Sequence, residues 1–582
     1  MTEPIIFLDH EISDKRTTLS YRLSRRVLLK CAALCGTPWG ARVLTAGPIC
    51  SAEGTLSEGG PIVQTTEGRV RGYVAEGVST FKGIPYGAST SGLNRFMPPN
   101  KPGSWAGVRN ACDYGPMAMQ WWRPSLKQMI PTDFGRLYKG IFPSAPYRMS
   151  EDCLVLNVWS PELGEENNLP VMVWLHGGGF SNGAGDWRWA DGTNLARKNG
   201  VVVVSLNHRL NVFGHLHLRD IGGTKYSDSG NAGMLDVVAA LRWIQDNIAS
   251  FGGDPGNITI FGQSGGGSKV SALMAMPSSQ GLFHKSIQMS GPCLKVLPRE
   301  EATRTATQVM RQLGFHHSDV DRLQHVPAQQ LLKAAEIVAN RRGGDIWRNG
   351  AWIDVFSPVV DGRSLTRHPF DPTAPEISAR IPMLLGNTGD ESRTTAAACL
   401  KTLDEEGMHA HLNGMGIDSV QADRLIRAYR SSRPSATPAD VLCAIISDLE
   451  FRMDVIITAE RKSALRDASV YMYLFTCESP AFDGKYKSFH GFDIPFVFDN
   501  IDSAPELWGQ CIDPRSYELA ARMSKAWAEF ARTGTPNHPG LPEWKPYRVG
   551  ERATMVLNYS CELVNDPRRE DRLAFEQWNS RT

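Results

Sequence analysis

Two stretches of the chain match G-x-S-x-G, the pattern that surrounds the nucleophilic serine of many hydrolytic enzymes. One spans 262–266 around Ser264, and the other spans 179–183 around Ser181. Ser264 follows a short strand-like run and precedes small residues that predict a helix. A sharp turn between strand and helix is what an exposed nucleophile requires. Ser181 lies among further glycines, which is typical of a loop. We therefore predict that Ser264 is the nucleophile and that Ser181 is a loop residue.

Three consecutive glycines at 177–179 follow the apolar run 171–175 and His176. Such a run leaves backbone N–H groups free to face a cavity, where they can stabilise the oxyanion of a tetrahedral intermediate. A tight loop that needs positive φ angles would explain the glycines equally well when they are considered alone. Their combination with Ser264 favours the first interpretation, and it predicts an oxyanion hole made by the N–H groups of Gly178, Gly179 and Gly265.

A serine nucleophile needs a general base, and the base needs an acid that orients it. In hydrolases whose nucleophilic serine lies on a turn between a strand and a helix, the three residues occur along the chain in the order serine, acid, histidine. Asp390 and Glu391 follow the apolar run 381–385, and either carboxylate could be the acid. The histidines beyond them are His409 and His411 in a polar helical stretch, His490 after the run 470–475, and His538 in a proline-rich loop.

The elements that must position these groups alternate between strands and helices. Continuous apolar runs of this length suit strands that are buried on both faces of a mostly parallel sheet. They lie at 171–175, 201–206, 258–261, 381–385 and 470–475. Between 233 and 250 the apolar residues recur every three and four positions, which predicts a helix with one buried face. We predict one α/β domain over 60–575, with helical insertions near 296–340 and 400–466 that cap a large, mostly parallel sheet.

Composition excludes several classes of protein. The 582 residues include 62 basic and 61 acidic side chains, a net charge of +1, so nothing marks a surface for nucleic acid or for anionic lipid. No run of 18 apolar residues is present, so we expect no membrane-spanning helix. The 11 cysteines form no cluster with zinc spacing, and His215 and His217 are expected to be structural. We expect neither a metal nor an organic cofactor.

Residues 1–52 differ in character from the rest of the chain. Arg25 and Arg26 precede a short apolar stretch, and the segment 24–30 resembles the twin-arginine export motif. This resemblance predicts export to the periplasm or beyond in a bacterium, with cleavage near Ala46 or Ala52. The alternative is a disordered basic leader in which the arginine pair occurs by chance.

Several further motifs resemble those of type-B carboxylesterases, the α/β-hydrolase family that includes bacterial para-nitrobenzyl esterases and the cholinesterases. They lie in the family's order at 80–86, 150–158, 207–210, 357–362 and 534–537 and, with the elbow, cover roughly 60–560. The resemblance implies an α/β-hydrolase fold and a serine carboxylic ester hydrolase that acts on a small-molecule ester through an acyl-enzyme. It also implies Glu391 as the acid, His490 as the base, and Ser290 as a serine that supports the acid.

The sequence departs from this family at some positions. Cys153 stands where relatives often have the second cysteine of a loop disulfide, but the usual partner region contains no cysteine, so we expect a free thiol rather than a bond to nearby Cys112. Cys293 likewise lacks an obvious partner. The aromatic-rich loop 121–149 is expected to line the mouth of the site, although aromatic side chains are more commonly core or cover.

Two alternatives to a simple esterase follow from the same resemblance. One is a catalytically inactive adhesion or scaffold protein of the neuroligin kind, although such relatives typically lose the nucleophile. The other keeps the triad but acts on carbamates, amides or polyesters, a choice that fold and triad do not decide.

Overall fold

A sheet of 11 strands lies at the centre of the described chain. In this computed structural model the described residues are 59–121, 133–141, 148–342, 345–348, 351–394, 403–509 and 511–579. The strands are β1 (Tyr73–Ala75), β2 (Val78–Pro85), β3 (Val155–Ser160), β4 (Leu169–Leu175), β5 (Val202–Leu206), β6 (Gly253–Gln263), β7 (Lys285–Met289), β8 (Met383–Thr388), β9 (Val470–Phe475), β10 (Ala553–Leu557) and β11 (Glu562–Asn565). The five predicted runs overlap β4, β5, β6, β8 and β9.

The strand order across the sheet is β11-β10-β9-β8-β7-β6-β4-β5-β3-β2-β1. Strands β4 to β10 pair in parallel, whereas β1, β2 and β3 at one edge and β11 at the other pair antiparallel. The sheet is therefore mixed but mostly parallel, and the predicted fold class is confirmed. Smaller sheets join Ile62–Gln64, Arg69–Arg71 and Val108–Asn110; Met117–Ala118 and Met149–Ser150; Leu297–Pro298 and Val359–Val360; and Asp345–Arg348 and Ala351–Asp354.

Helices flank this sheet. The longer ones are α1 (Thr193–Asn199), α2 (Ala232–Asn247), α3 (Gly265–Ala275), α4 (Arg299–Gln312), α5 (Ala328–Arg341), α6 (Glu405–Gly414), α7 (Ser419–Ser432), α8 (Pro438–Ser447), α9 (Met453–Ala464), α10 (Pro514–Thr533) and α11 (Arg569–Asn579). Shorter α-helical segments lie at Asp133–Leu137, Asn211–His215, Arg219–Gly222 and Ile494–Val497, and a π-helical segment lies at Asp448–Arg452. The helix predicted within 233–250 is α2, and the two predicted helical stretches contain α4 and α5, and α6 to α9.

The central strands are apolar on both faces because both faces are covered. Successive residues of β4 belong to different hydrophobic clusters: Val171, Val173 and Leu175 to one, and Met172 and Trp174 to the other. Side chains alternate between the faces of a strand, so a strand packed on both sides must be apolar at every position. This is the physical reason that the sequence shows continuous rather than alternating apolar runs.

Cys153 and Cys293 are free thiols, as the sequence predicts. None of the helices within the described ranges is long and apolar enough to cross a membrane. Within the same ranges, no group of three or more His, Cys, Asp or Glu side chains is arranged to hold a metal ion. The predicted leader 1–52 and most of the aromatic loop, at 122–132 and 142–147, lie outside the described residues.

Candidate active site

The predicted site residues follow the carboxyl ends of central strands of the sheet. Ser264 comes directly after β6, Glu391 follows β8, and His490 follows β9. The glycine loop 177–179 follows β4, which pairs with β6. Because parallel strands present their carboxyl ends on the same side of a sheet, the glycine loop at 177–179 and His490 meet there although they lie far apart in the chain.

Ser264 has the backbone conformation of a strained turn. Its φ of 56° and ψ of −128° lie outside the regions that residues with a side chain ordinarily adopt. Such a conformation costs about 1–3 kcal/mol and persists only where the surroundings impose it. Here the Ser264 N–H donates to the Met289 carbonyl at 2.8 Å, and the Ser264 carbonyl accepts from the Ser268 N–H at 3.1 Å. The turn is thereby held between β7 and the first turn of α3.

Glycines around this turn are required by close backbone approach. A Cβ atom at Gly291 would lie 1.8 Å from the Ser264 carbonyl oxygen, and one at Gly266 would lie 2.0 Å from the Leu175 carbonyl oxygen. Neither contact could be relieved by a side-chain rotation, since both partners are backbone atoms. The small residues that the sequence shows after Ser264 are therefore a packing requirement of the strand–turn–helix unit.

Glu391 and His490 form the tightest polar contact of the site. Glu391 Oε2 lies 2.5 Å from His490 Nδ1, and its other oxygen, Oε1, accepts from the Thr388 N–H at 2.7 Å. The carboxylate is buried, so this contact fixes the imidazole with its proton on Nδ1 and leaves Nε2 as the acceptor. Burial by itself lowers the pKa of His490, but the charge and the hydrogen bond of Glu391 outweigh burial and raise it above 6.5.

Two further side chains hold the His490 segment. The Tyr138 hydroxyl donates to the His490 carbonyl at 2.8 Å, and the Phe451 ring packs against the imidazole with a centroid distance of 4.7 Å. Phe451 lies on the π-helical segment Asp448–Arg452, and such insertions are frequent at functional sites. The sequence gives no signal for Phe451, whereas Tyr138 belongs to the aromatic loop that was expected near the site.

Gln263, rather than Ser264, contacts the free nitrogen of the imidazole. Gln263 Nε2 lies 3.1 Å from His490 Nε2, and the amide N–H is the donor because Nδ1 carries the ring proton. Ser264 Oγ has no hydrogen-bond partner among the described residues. The structure therefore joins Glu391 to His490 and brings the imidazole to the elbow, but it does not join His490 to the Ser264 hydroxyl.

The glycine loop packs against the start of α3. Gly178 and Gly179 have φ angles of 87° and 62°, which glycine adopts readily. A Cβ atom at Gly265 would lie only 2.4 Å from the Gly179 nitrogen, so the two backbones are in direct contact. Within the loop, the Asn182 N–H donates to the Gly178 carbonyl at 3.0 Å. The three glycines predicted to form the oxyanion hole thus lie together beside Ser264.

Ser290 directly follows β7 and lies next to the elbow. Its φ is 48°, and its N–H donates to the Gly386 carbonyl at 2.8 Å. Its hydroxyl is buried without a hydrogen-bond partner in the described part of the chain, so it makes no hydrogen bond to Glu391. The predicted support of the acid is therefore not seen as a direct hydrogen bond, and the two Glu391 oxygens contact His490 Nδ1 and the Thr388 N–H instead.

The remaining candidates of the sequence have other contacts. Ser181 lies in a turn and donates to Asp354 at 2.6 Å. His409 on α6 pairs with Asp423, and His538 in its loop donates to the Arg522 carbonyl. His215 and His217 are buried.

Asp493 is a buried carboxyl near Glu391 and His490, and the sequence did not single it out as a site residue. It accepts from the Tyr473 hydroxyl at 2.8 Å. Burial, assisted by the negative charge of Glu391, raises the pKa of Asp493 to about 7. Its place three residues after His490 is the one signal in the sequence, since the residue type alone does not distinguish it from a surface aspartate.

Comparisons with known proteins identify the family of the chain. The model of the carboxylesterase family matches residues 59–576. The chain is 34% identical to the para-nitrobenzyl esterase of Bacillus subtilis (strain 168), covering 88% of this chain and 97% of that protein. It is 31% identical to the phenmedipham hydrolase of Pseudarthrobacter oxydans, covering 88% and 98%.

A solved structure is similar over the same span. The carboxylesterase of Geobacillus stearothermophilus, determined at pH 6.2, superposes with a TM-score of 0.74 at 36% identity and covers 88% of this chain and 99% of that one. The expectations of a type-B carboxylesterase, an α/β-hydrolase fold and a carboxylic ester hydrolase are thereby confirmed. The chain belongs to the carboxylesterase family, and it is a carboxylic ester hydrolase.

Proposed function

We propose that this hydrolase forms an acyl-enzyme on Ser264, with His490 as the general base and Glu391 as the acid that orients it. The observation that carries the proposal is the buried contact of 2.5 Å between Glu391 and His490 Nδ1. It presents His490 Nε2 toward the elbow, where the side chain of the residue beside Ser264 already contacts it at 3.1 Å. A rotation that exchanges the Gln263 amide for the Ser264 hydroxyl completes the triad.

The reaction then follows from the positions of the proton acceptor and donor. His490 Nε2 takes the proton from Ser264 as Oγ bonds to the ester carbonyl carbon, and Glu391 stabilises the resulting imidazolium. The tetrahedral intermediate collapses, the C–O bond to the alcohol breaks, and His490 gives its proton to the departing oxygen. Water attacks the acyl-enzyme by the same route and releases the acid and Ser264.

The developing oxyanion is held by the N–H groups of Gly178, Gly179 and Gly265. Backbone donors at fixed positions do not have to reorganise during the reaction. One such donor lowers the activation free energy by about 3–4 kcal/mol in comparable enzymes. The direct contact of the glycine loop with Gly265 supports this assignment, since it places donors from two elements beside Ser264.

Carboxylic esters are the proposed substrates. Carbamates, amides and polyesters remain alternatives for the same triad, because fold and triad do not determine the leaving group or the acyl pocket. The hydrogen-bonded Glu391–His490 pair and the strained backbone of Ser264 argue against an inactive scaffold. Backbone strain costs free energy, and an adhesion protein has no use for it.

A fluorophosphonate probe tests the nucleophile. We expect wild type and Ser181→Ala to be labelled and Ser264→Ala to be unlabelled, because Ser264 is the proposed nucleophile and Ser181 Oγ donates to Asp354 instead. Ser181→Ala is the matched control, since it changes the serine of the other G-x-S-x-G match. Labelling of Ser264→Ala at the wild-type level would overturn the assignment.

A substrate panel measured on the same variants tests the reaction class. It contains p-nitrophenyl esters of increasing acyl length, an aryl carbamate and an anilide. We expect ester hydrolysis that falls by about 10³-fold or more in Ser264→Ala. A labelled wild-type enzyme that cleaves the carbamate but no ester would move the substrate class and leave the nucleophile in place.

We also propose that the chain is exported through its twin-arginine-like segment and acts in the periplasm or outside the cell. The arginine pair Arg25 and Arg26 supports this proposal. The free thiols Cys153 and Cys293 are consistent with it, since twin-arginine cargo folds before it crosses the membrane and needs no external disulfides.

A further inference from the structure

Lys269 is a fully buried lysine on α3, the helix that begins just after Ser264. Its side chain is 0% exposed. Its Nζ donates to two backbone carbonyls, those of His176 and Gly179, at 2.9 Å each. Both acceptors belong to the glycine loop, so one side chain of the nucleophile helix is hydrogen-bonded to the loop that carries the other half of the predicted oxyanion hole.

The two carbonyls bracket the three glycines. His176 lies just before Gly177, and Gly179 is the last of the three. Glycine loses more backbone entropy on ordering than any other residue. The backbone conformation of a run of three glycines must therefore be fixed by contacts with the surrounding structure. A group that holds both ends of the run fixes the directions of the intervening N–H groups, which catalysis requires to stay aimed at one position.

The surroundings give Lys269 no ion pair that would explain its burial. No carboxylate among the described residues lies within ion-pair distance of Nζ. Burial lowers the pKa of Lys269 to about 7, and the charge of Asp354 opposes this only in part. The neighbouring imidazoles of His176 and His208 are stacked at 5.0 Å, and an imidazole carries no negative charge, so neither ring provides a counter-ion.

Burying an amine without a counter-ion is costly, and hydrogen bonds to carbonyls only partly offset the cost. An apolar side chain would fill the same space beside the Phe180 ring, which lies 5.6 Å from Nζ. What distinguishes Lys269 is the place of its acceptors, since both carbonyls belong to the glycine loop whose N–H groups are proposed to hold the oxyanion.

We propose that Lys269 is a positioning residue that locks the oxyanion loop onto the nucleophile helix, an inference that rests on the proposed function of Ser264 and the glycine N–H groups. It does not touch substrate. It acts through the Gly179 and His176 carbonyls, so that the N–H groups of the loop and of Gly265 keep a common target while the tetrahedral intermediate forms.

The chain contains a matched control. Lys462 on α9 is also buried, and its Nζ donates to two backbone carbonyls, those of Ser378 and Ala379, at 2.7 Å each. Burial lowers the pKa of Lys462 to about 8. These acceptors precede β8, at the end of that strand opposite to Glu391, so this lysine holds a loop far along the strand from the chemistry. Methionine at either position removes the donors and keeps an unbranched side chain.

The experiment compares Lys269→Met with Lys462→Met in the full chain. The readouts are kcat and KM for a p-nitrophenyl ester, the affinity for an aryl trifluoromethyl ketone that forms a tetrahedral adduct with serine, and Tm. We expect Lys269→Met to lose about 10- to 100-fold in kcat and in affinity for the ketone, while KM changes by less than about threefold. Lys462→Met should lower Tm and leave both kinetic quantities unchanged.

A folded Lys269→Met enzyme with kcat and ketone affinity within about threefold of wild type would overturn the inference. If that variant does not fold, Lys269→Leu, which also removes both hydrogen bonds, must show the same loss of kcat with little change in KM. Fluorophosphonate labelling of wild type and of Ser264→Ala separates the two proposals. Labelling that does not depend on Ser264 would refute the proposed function. Labelling that depends on Ser264, together with unchanged kinetics of the Lys269 variant, would refute only this inference.

Discussion

The amide nitrogen of Gln263 lies 3.1 Å from His490 Nε2, the atom proposed to accept the proton of Ser264. Gln263 and Ser264 are adjacent in the chain, and in the structure the imidazole is hydrogen-bonded to Gln263. The contact fixes the ring orientation in the resting state, since Nδ1 is held by Glu391 and Nε2 by Gln263. It also competes with the Ser264–His490 hydrogen bond that the proposed mechanism requires.

Gln263→Leu removes this competing donor. A hydrogen bond to Nε2 favours the neutral imidazole, so its loss should raise the pKa of His490 further. A neutral hydrogen bond of about 0.5–1.5 kcal/mol corresponds to roughly 0.4–1 pH unit. We expect the acidic limb of kcat/KM to move upward by about that amount, as measured on one p-nitrophenyl ester. A downward shift would contradict the donor role of the amide.

The pH profile of the wild type reports on Glu391. The base acts as the neutral imidazole, and Glu391 raises the pKa of His490, so kcat/KM should rise with pH and reach half its maximum above pH 6.5. Glu391→Gln removes the charge that raises the pKa, and burial then lowers it. The limb should shift to lower pH than in wild type, while the maximal rate falls by about 10³- to 10⁴-fold because the imidazole loses its fixed tautomer. An unshifted limb would exclude Glu391 as the partner of the base.

Gly291→Ala tests the close approach at the elbow. The new Cβ would lie 1.8 Å from the Ser264 carbonyl oxygen, so the turn must move. A displacement near 1 Å costs about 10²-fold in rate, and the overpacking costs about 1–3 kcal/mol in unfolding free energy. Gly103→Ala is the control, since no atom lies within 4 Å of its Cβ position. Kinetics and urea unfolding of both variants measure the two effects, and an unaltered Gly291→Ala enzyme would refute the packing argument.

The leader is tested by cell fractionation. In a bacterium with twin-arginine export, the full chain should deliver esterase activity to the periplasm or medium, and Arg25→Lys with Arg26→Lys should retain it in the cytoplasm. Arg22→Lys lies outside the pair and should leave export unchanged. N-terminal sequencing of the exported protein should show a start near Ala46 or Ala52. An intact Met1 on active cytoplasmic protein from the wild-type gene would contradict the prediction.

The interpretation of G-x-S-x-G shows how far local pattern reaches. Ser264 and Ser181 match it equally, and the strand before Ser264 and the small residues after it distinguished them because the elbow is itself a local structure. The continuous apolar runs identified the central strands for a similar reason, since a strand that is buried on both faces is apolar at each consecutive residue. His490 and Glu391 could be named only through the resemblance, because a loop histidine and a loop carboxylate have no local signature.

The sequence by itself determined the family, the α/β class and the identity of the three residues proposed to form the triad, because each depends on a short pattern or on motifs in a fixed order. Only the tertiary structure decided that Gln263 rather than Ser264 contacts His490, that the Ser290 hydroxyl does not reach Glu391, and that Lys269 reaches across to the glycine loop. These relationships depend on side-chain directions between segments that meet only when parallel strands align their carboxyl ends, and no spacing along the chain encodes them.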